Sequence, residues 1–132
     1  MSFETVVQTV VYDQLTASVA LMASVEGVYD AVPETETFPY ITIGDDAHVE
    51  WDTSPELGSN VSITIHTWSR GRGRRETKEI QGYIYDALNR VELTATGYSF
   101  AGIDFEQSDS FLDADGLTRH GISTFRILIE KT

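Results

Sequence analysis

The sequence predicts an α+β fold, a mostly antiparallel β-sheet packed with two helices, and three observations predict it. Two stretches, one at the N-terminus and one around residue 80, repeat apolar residues at the helical period. Several other segments alternate apolar and polar side chains, or form short blocks rich in Val, Ile, Tyr and Phe. The elements run helix, strands, helix, strands, without the regular strand–helix alternation that builds a parallel sheet.

The first helix is expected over 2–23. Val7, Val11, Leu15, Val19 and Met22 form its stripe, Val10 widens it, and Gln8, Thr9, Asp13 and Gln14 face outward. Ser2 is the expected N-cap, and Glu4 in the first turn suits the helix dipole. Gly27 closes this element.

Val28-Tyr29-Asp30-Ala31-Val32 then reads as a short strand stopped by Pro33, followed by an acidic loop over 34–37. Phe38-Pro39 leads into the buried strand Tyr40-Ile41-Thr42-Ile43-Gly44. Residues 45–56 are polar and acidic around Val49 and Trp51, and are expected to form a flap or a ragged sheet edge.

The strand over 61–68 alternates cleanly. Val61, Ile63 and Ile65 take one face, and Ser62, Thr64, His66 and Trp68 take the other. A second helix falls within 76–90, where Ile80, Tyr83, Ile84, Ala87 and Leu88 make the clearest stripe, continuing to Val91. No good N-cap residue precedes it. Three further strands are expected: a short one over 91–94, one within 98–113 and a last one over 118–130, with Phe125, Ile127 and Ile129 buried. Asp113-Ala114-Asp115-Gly116 joins the final two as a hairpin turn, with glycine where a positive φ is needed.

At 132 residues the chain is read as a single domain, 1–132, with no linker and no internal repeat. Its 41% hydrophobic content excludes a disordered acidic tail. A net charge of −12 argues against a nucleic-acid binder or a protein of anionic membrane surfaces. The absence of cysteine removes disulfides, thiolate nucleophiles and cysteine-ligated zinc. No signal peptide and no apolar run of membrane-spanning length is visible, so a cytoplasmic origin is expected.

Positive charge is concentrated at one junction. No lysine or arginine precedes Arg70, and then Arg70, Arg72, Arg74 and Arg75 crowd the passage from strand to helix. This is not a Walker loop, since no lysine followed by serine or threonine ends it. Guanidinium groups at a helix entrance oppose the dipole, and an acidic partner relieves that cost. The junction is the candidate docking loop. Asp45, Asp46, Glu50 and Asp52 form the candidate acidic assembly loop.

No catalytic residue, cofactor site or metal site is expected. His48, His66 and His120 are scattered in sequence and lack ligand spacing. Asp113-Ala114-Asp115-Gly116 stops short of a calcium loop, and no serine sits in a Gly-x-Ser-x-Gly elbow. The residues point to a non-enzymatic subunit.

Several phrases carry a family resemblance. They are the N-terminal helix, Val28-Tyr29-Asp30-Ala31-Val32-Pro33, Phe38-Pro39-Tyr40-Ile41-Thr42-Ile43-Gly44, the strand ending in Trp68-Ser69, the helix ending at Ala87-Leu88, and Asp115-Gly116-Leu117-Thr118-Arg119-His120-Gly121 before Phe125-Arg126-Ile127. In this order the chain resembles the tail-completion proteins of long-tailed bacteriophages and prophages, a group that includes tail terminators and tail-to-head joining proteins. The resemblance implies a tail-terminator-like fold and a virion location, after assembly in the host cytoplasm. It implies a homo-oligomeric ring, expected to be a hexamer, that caps the tail tube protein and meets the head connector or neck protein. It also implies an acidic lumen past which DNA slides without specific binding. Two alternatives stand beside it: a head-completion or neck ring subunit, and a monomeric α+β ligand-binding domain.

Overall fold

A computed structural model describes residues 2–34, 37–50 and 58–132, with only the backbone described at Asp45, Asp46, His48, Val49 and Glu50. The elements follow in the order α1 (Phe3–Thr16), α2 (Val19–Met22), β1 (Val28–Tyr29), β2 (Tyr40–Glu50), β3 (Gly58–Ser69), α3 (Arg75–Leu88), β4 (Tyr98–Leu112) and β5 (Arg119–Lys131). The strands form one five-stranded sheet in the order β1-β2-β3-β5-β4. Every pairing is antiparallel except β1 with β2. The α+β, mostly antiparallel expectation holds.

The N-terminal helix is broken in two. Ser2 caps α1 by accepting from the Thr5 amide, as its sequence position suggests. Thr16 turns its hydroxyl back to the Tyr12 carbonyl at 2.9 Å, and Ser18 caps α2 by accepting from the Leu21 amide. Hydroxyl side chains that compete for backbone groups favour such ends over helix interiors. The break rotates the stripe. Val19, expected in the core, is 85% exposed, and Leu21 is fully buried instead. Val19→Lys is therefore expected to leave the unfolding free energy within about 0.5 kcal/mol, while Leu21→Ala costs about 2–5 kcal/mol. Denaturant titration of the two variants checks the pair.

Alternation decides the sheet's two faces. Ile41, Ile43, Val61, Ile63, Ile65, Ile103, Phe125, Ile127 and Ile129 are all buried on one face. Register brings them together, with Ile43 opposite Ile65, Ile63 opposite Phe125, and Ile103 opposite Ile127. Helices α1 and α3 pack on this face, adding Val7, Val11, Leu15, Ile80, Ile84 and Leu88. The other face carries Thr42, Thr64, His66, Trp68, Ile122 and Thr124, all half-buried.

Three expectations are corrected. The strand expected over 28–32 is only two residues long, because its parallel pairing with β2 ends at Tyr29 opposite Thr42. The segment from residue 45, expected as a flap or a ragged sheet edge, is, as far as Glu50, a continuation of β2, re-registered by an irregularity between Gly44 and Ala47. Its polar composition hid the strand; residues 51–57 lie outside the described residues. The short strand expected over 91–94 does not form. Arg90 takes a positive φ of 58°, its N–H donates to the Ile103 carbonyl at 2.9 Å, and Leu93 enters the core. Only an isolated bridge joins Ala95 to Tyr98.

Candidate docking junction

The arginine junction lies at one end of the sheet, where β3 ends, β5 begins and β2 starts. Tyr40 pairs with Trp68, and Ser69 pairs with Arg119. The backbone is shaped here by Ser69, buried at the strand end. Its hydroxyl donates to a Glu76 carboxylate oxygen and accepts from the Gly71 amide at 3.1 Å. This ties the loop to the first turn of α3. Arg74 occupies the cap position without a capping side chain, matching the missing N-cap signal in the sequence.

The four arginines divide into two kinds. Arg70 is engaged within the chain: its guanidinium sits 4.3 Å above the Phe38 ring, and Nε donates to Thr118 Oγ1 at 3.2 Å. An Asp115 oxygen lies 3.9 Å from its Nη2. Arg75 pairs with Glu79 one turn along α3 at 2.9 Å, and that carboxylate raises the Arg75 pKa. Arg72 and Arg74 are exposed and make no ion pair among the described residues. Sequence grouped the four as one loop; the fold engages Arg70 and Arg75 within the chain and leaves Arg72 and Arg74 exposed.

Beside the junction, the β4–β5 turn is built as expected. The Asp115 Oδ1 accepts from the Leu117 and Thr118 amides, each at 2.8 Å, and Oδ2 accepts from the Thr118 hydroxyl at 2.7 Å. Gly116 supplies the positive φ of 72°. The Thr118 amide, the Thr118 hydroxyl and the Leu117 amide, in that order, lower the Asp115 pKa to about 2, and Arg70 adds to the effect. A carboxyl depressed in the folded state stabilises it above its unfolded pKa, and that contribution is lost as pH falls. Between about pH 4 and pH 2 the wild type is expected to lose stability faster than Asp115→Asn. Parallel acid titrations followed by circular dichroism check this.

The acidic candidates are not gathered beside the arginines. Asp45, Asp46 and Glu50 sit along β2, and Glu50 pairs with Ser59 at the far end of the sheet. At about 3.3 Å per residue, that end lies roughly 35 Å from Arg70. Asp52 falls outside the described residues.

One pairing escaped the sequence. His66 and His120 lie on neighbouring strands, and their Nδ1 and Nε2 atoms meet at 2.6 Å. The His120 ring stacks on Trp68 with centroids 3.9 Å apart, and Phe111 and Tyr40 extend the aromatic row. No group of three or more potential metal ligands occurs among the described residues. An open groove of about 480 Å³ runs between α3 and β4, lined by Gln81, Tyr85, Phe105 and Asp109 among others. No described helix is long and apolar enough to cross a membrane.

The fold is a one-sided sheet with helices on its core face and an arginine-rich junction at one end, the frame of a small structural subunit. The sequence matches the family model described as Tail completion protein gp17 over residues 9–130, and the chain belongs to that family of phage tail proteins. It is 28% identical over 122 residues to tail completion protein gp17 of Bacillus phage SPP1, covering 92% of this chain and 90% of that one. Among solved structures, a chain in the virion of a native gene transfer agent particle superposes with a TM-score of 0.86 at 25% identity, covering 93% of both chains. The structure of bacteriophage SPP1 gp17 protein gives a TM-score of 0.64 at 27% identity, covering 91% of this chain and 86% of that one. The protein is thus a structural component of phage-type virions.

Proposed function

We propose that the chain is a ring-forming tail-completion subunit that caps the tail tube and joins it to the head connector, without catalytic activity of its own. The observation that carries this reading is the likeness, over nearly the whole chain, to a protein held in a gene transfer agent virion. The arginine junction supplies the docking chemistry. Arg72 and Arg74 are charge donors without an internal partner among the described residues, and they sit on a loop fixed by Ser69 and Glu76. Guanidinium groups held by a rigid loop lose less entropy on meeting carboxylates than mobile side chains do.

The net charge of −12 fits the same role. A strongly acidic subunit repels nucleic acid, so DNA passes a ring of such subunits without being retained.

The test is light scattering of the purified protein across a concentration series, alone and mixed with tail tubes, with negative-stain images of the large species. A closed ring, free or seated on one end of the tube, is the expected result. A protein that stays monomeric and leaves the tubes uncapped overturns the reading.

A further inference from the structure

Charge is divided along this chain in an unusual way. The first 69 residues hold 11 acidic residues and no lysine or arginine, whereas all nine lysines and arginines lie from Arg70 onward. The fold turns this division into two separated surfaces. β1, at one edge of the sheet, opens into residues 30–34, which are exposed throughout. Asp30 and Glu34 there flank Val32, itself 41% exposed.

The second surface is the hairpin tip joining β4 and β5, towards the opposite edge. Leu117 stands 65% exposed on it, with Leu112 and Phe111 also exposed on the same hairpin. Leu117 is not on a loose loop. Its amide and that of Thr118 are bonded to Asp115, and the Asp113 amide donates to the Thr118 carbonyl at 2.7 Å. Arg70 bonds Thr118, and this ties the tip to the junction that presents Arg72 and Arg74. An apolar knob on a prebuilt turn, bonded to the loop that carries two exposed arginines, has the make-up of an interface anchor.

Each surface has what the other lacks. One offers an apolar residue between carboxylates. The other offers Leu117 on a turn tied through Arg70 to the loop of Arg72 and Arg74, which make no ion pair among the described residues. Asp115 of that turn is taken up by Thr118 and Arg70. Leu117 lies on the hairpin between β5 and β4, three to four strand spacings from β1 and so about 14–19 Å away, and Leu117 and Val32 of one copy do not meet. A second copy can bring two such surfaces together. We infer that copies of this chain join head to tail, with Leu117, Arg72 and Arg74 of one copy docked against Asp30, Val32 and Glu34 of the next. Two different patches make a heterologous contact, which propagates from copy to copy and forms a ring when its rotation closes, instead of stopping at a two-fold dimer. This inference rests on the ring reading above and specifies which surfaces form the ring.

The chain's lack of cysteine makes the test free of background. Val32→Cys, Leu117→Cys and the double variant are assembled, alone or on tail tubes, and treated with an oxidant and separately with a short bis-maleimide. The double variant is expected to give a ladder of covalent oligomers on a denaturing gel, and each single variant none. Crosslinked dimers from a single variant indicate a two-fold contact and overturn the inference. So do rings, seen by microscopy, in which the double variant gives no ladder. Absence of any oligomer, with or without tubes, removes the ring reading itself and this contact with it.

A second arm reads charge. Arg72→Glu/Arg74→Glu gives a chain acidic on both surfaces, and Asp30→Arg/Glu34→Arg gives one basic on both. Each alone is expected to stay monomeric, and a mixture of the two to assemble by alternation. Rings formed by either variant alone, or none from the mixture, count against the proposed pairing.

Discussion

Gly121→Val is expected to cost about 3 kcal/mol of folding stability, lowering the unfolding midpoint by roughly 10 °C. Gly121 lies on the core face of β5, opposite Thr67, directly beneath α3. A Cβ there would stand 2.7 Å from Gln81 Nε2 and 2.9 Å from Thr77 Cγ2. Such distances force the helix away from the sheet. Apolar packing of Ile80 and Ile84 holds that seam, with few polar bonds near Gly121: the hydroxyls of Thr67, Thr77 and Ser123 are buried without a hydrogen-bond partner among the described residues. The tie is Gln81 itself, whose amide donates to the Asp109 carbonyl at 2.8 Å.

This geometry gives the prediction internal structure. Gly121→Ala is expected to cost less than the valine variant, because the Gln81 amide is the end of a flexible side chain and yields. Combining Gly121→Ala with Gln81→Ala should then cost less than the two single changes added, since one displacement underlies both. Thermal denaturation of the set decides the matter. Strict additivity, or a Gly121→Val protein as stable as wild type, would show that α3 does not sit on this glycine.

How far the sequence could be read depended on the kind of signal each part left. The cores of β3, β5 and α3 were legible because alternation and the helical period are carried by Val61, Ile63, Ile65, Phe125, Ile127, Ile80 and Ile84 themselves. The cap at Ser2 and the turn at Gly116 were legible because a single residue type supplies a specific backbone need. The break at Ser18 was not, because Val19 keeps the helical period while the chain changes direction beneath it. β2 beyond Gly44 was hidden for the opposite reason: its residues are acidic, and its strand state is set by pairing with β3, a non-local cause. The meeting of His66 and His120, 54 residues apart in sequence, depends on the register between their two strands. At the docking junction the residue types were legible and their division was not. Only tertiary contacts reveal that Phe38, Thr118 and Asp115 engage Arg70 while Arg72 and Arg74 stay free of ion pairs among the described residues.

That division sets the second large effect. Reversing Arg72 and Arg74 together to glutamate is expected to abolish capping of tail tubes while leaving the isolated subunit as stable as wild type, within about 0.5 kcal/mol. Close charge pairs across interfaces couple by about 1.5–7 kcal/mol, so two reversals correspond to a loss of at least a hundred-fold in affinity per contact. A closed assembly repeats that loss at every subunit. Arg70→Ala is expected to behave in the contrary manner: it loses the Phe38 stack and the Thr118 hydrogen bond, costing about 1 kcal/mol of stability, with Arg72 and Arg74 still in place. Arg75→Ala, which removes only an exposed pair with Glu79, should do little to either property. Salt screens exposed charges, so capping through Arg72 and Arg74 is also expected to weaken as salt is raised from about 0.05 M to 0.5 M. Sedimentation of tubes with bound subunit, set beside thermal melts of the same variants, separates the two readouts. Tubes capped normally by the Arg72→Glu/Arg74→Glu protein would remove the junction from the docking surface, whatever the melts gave.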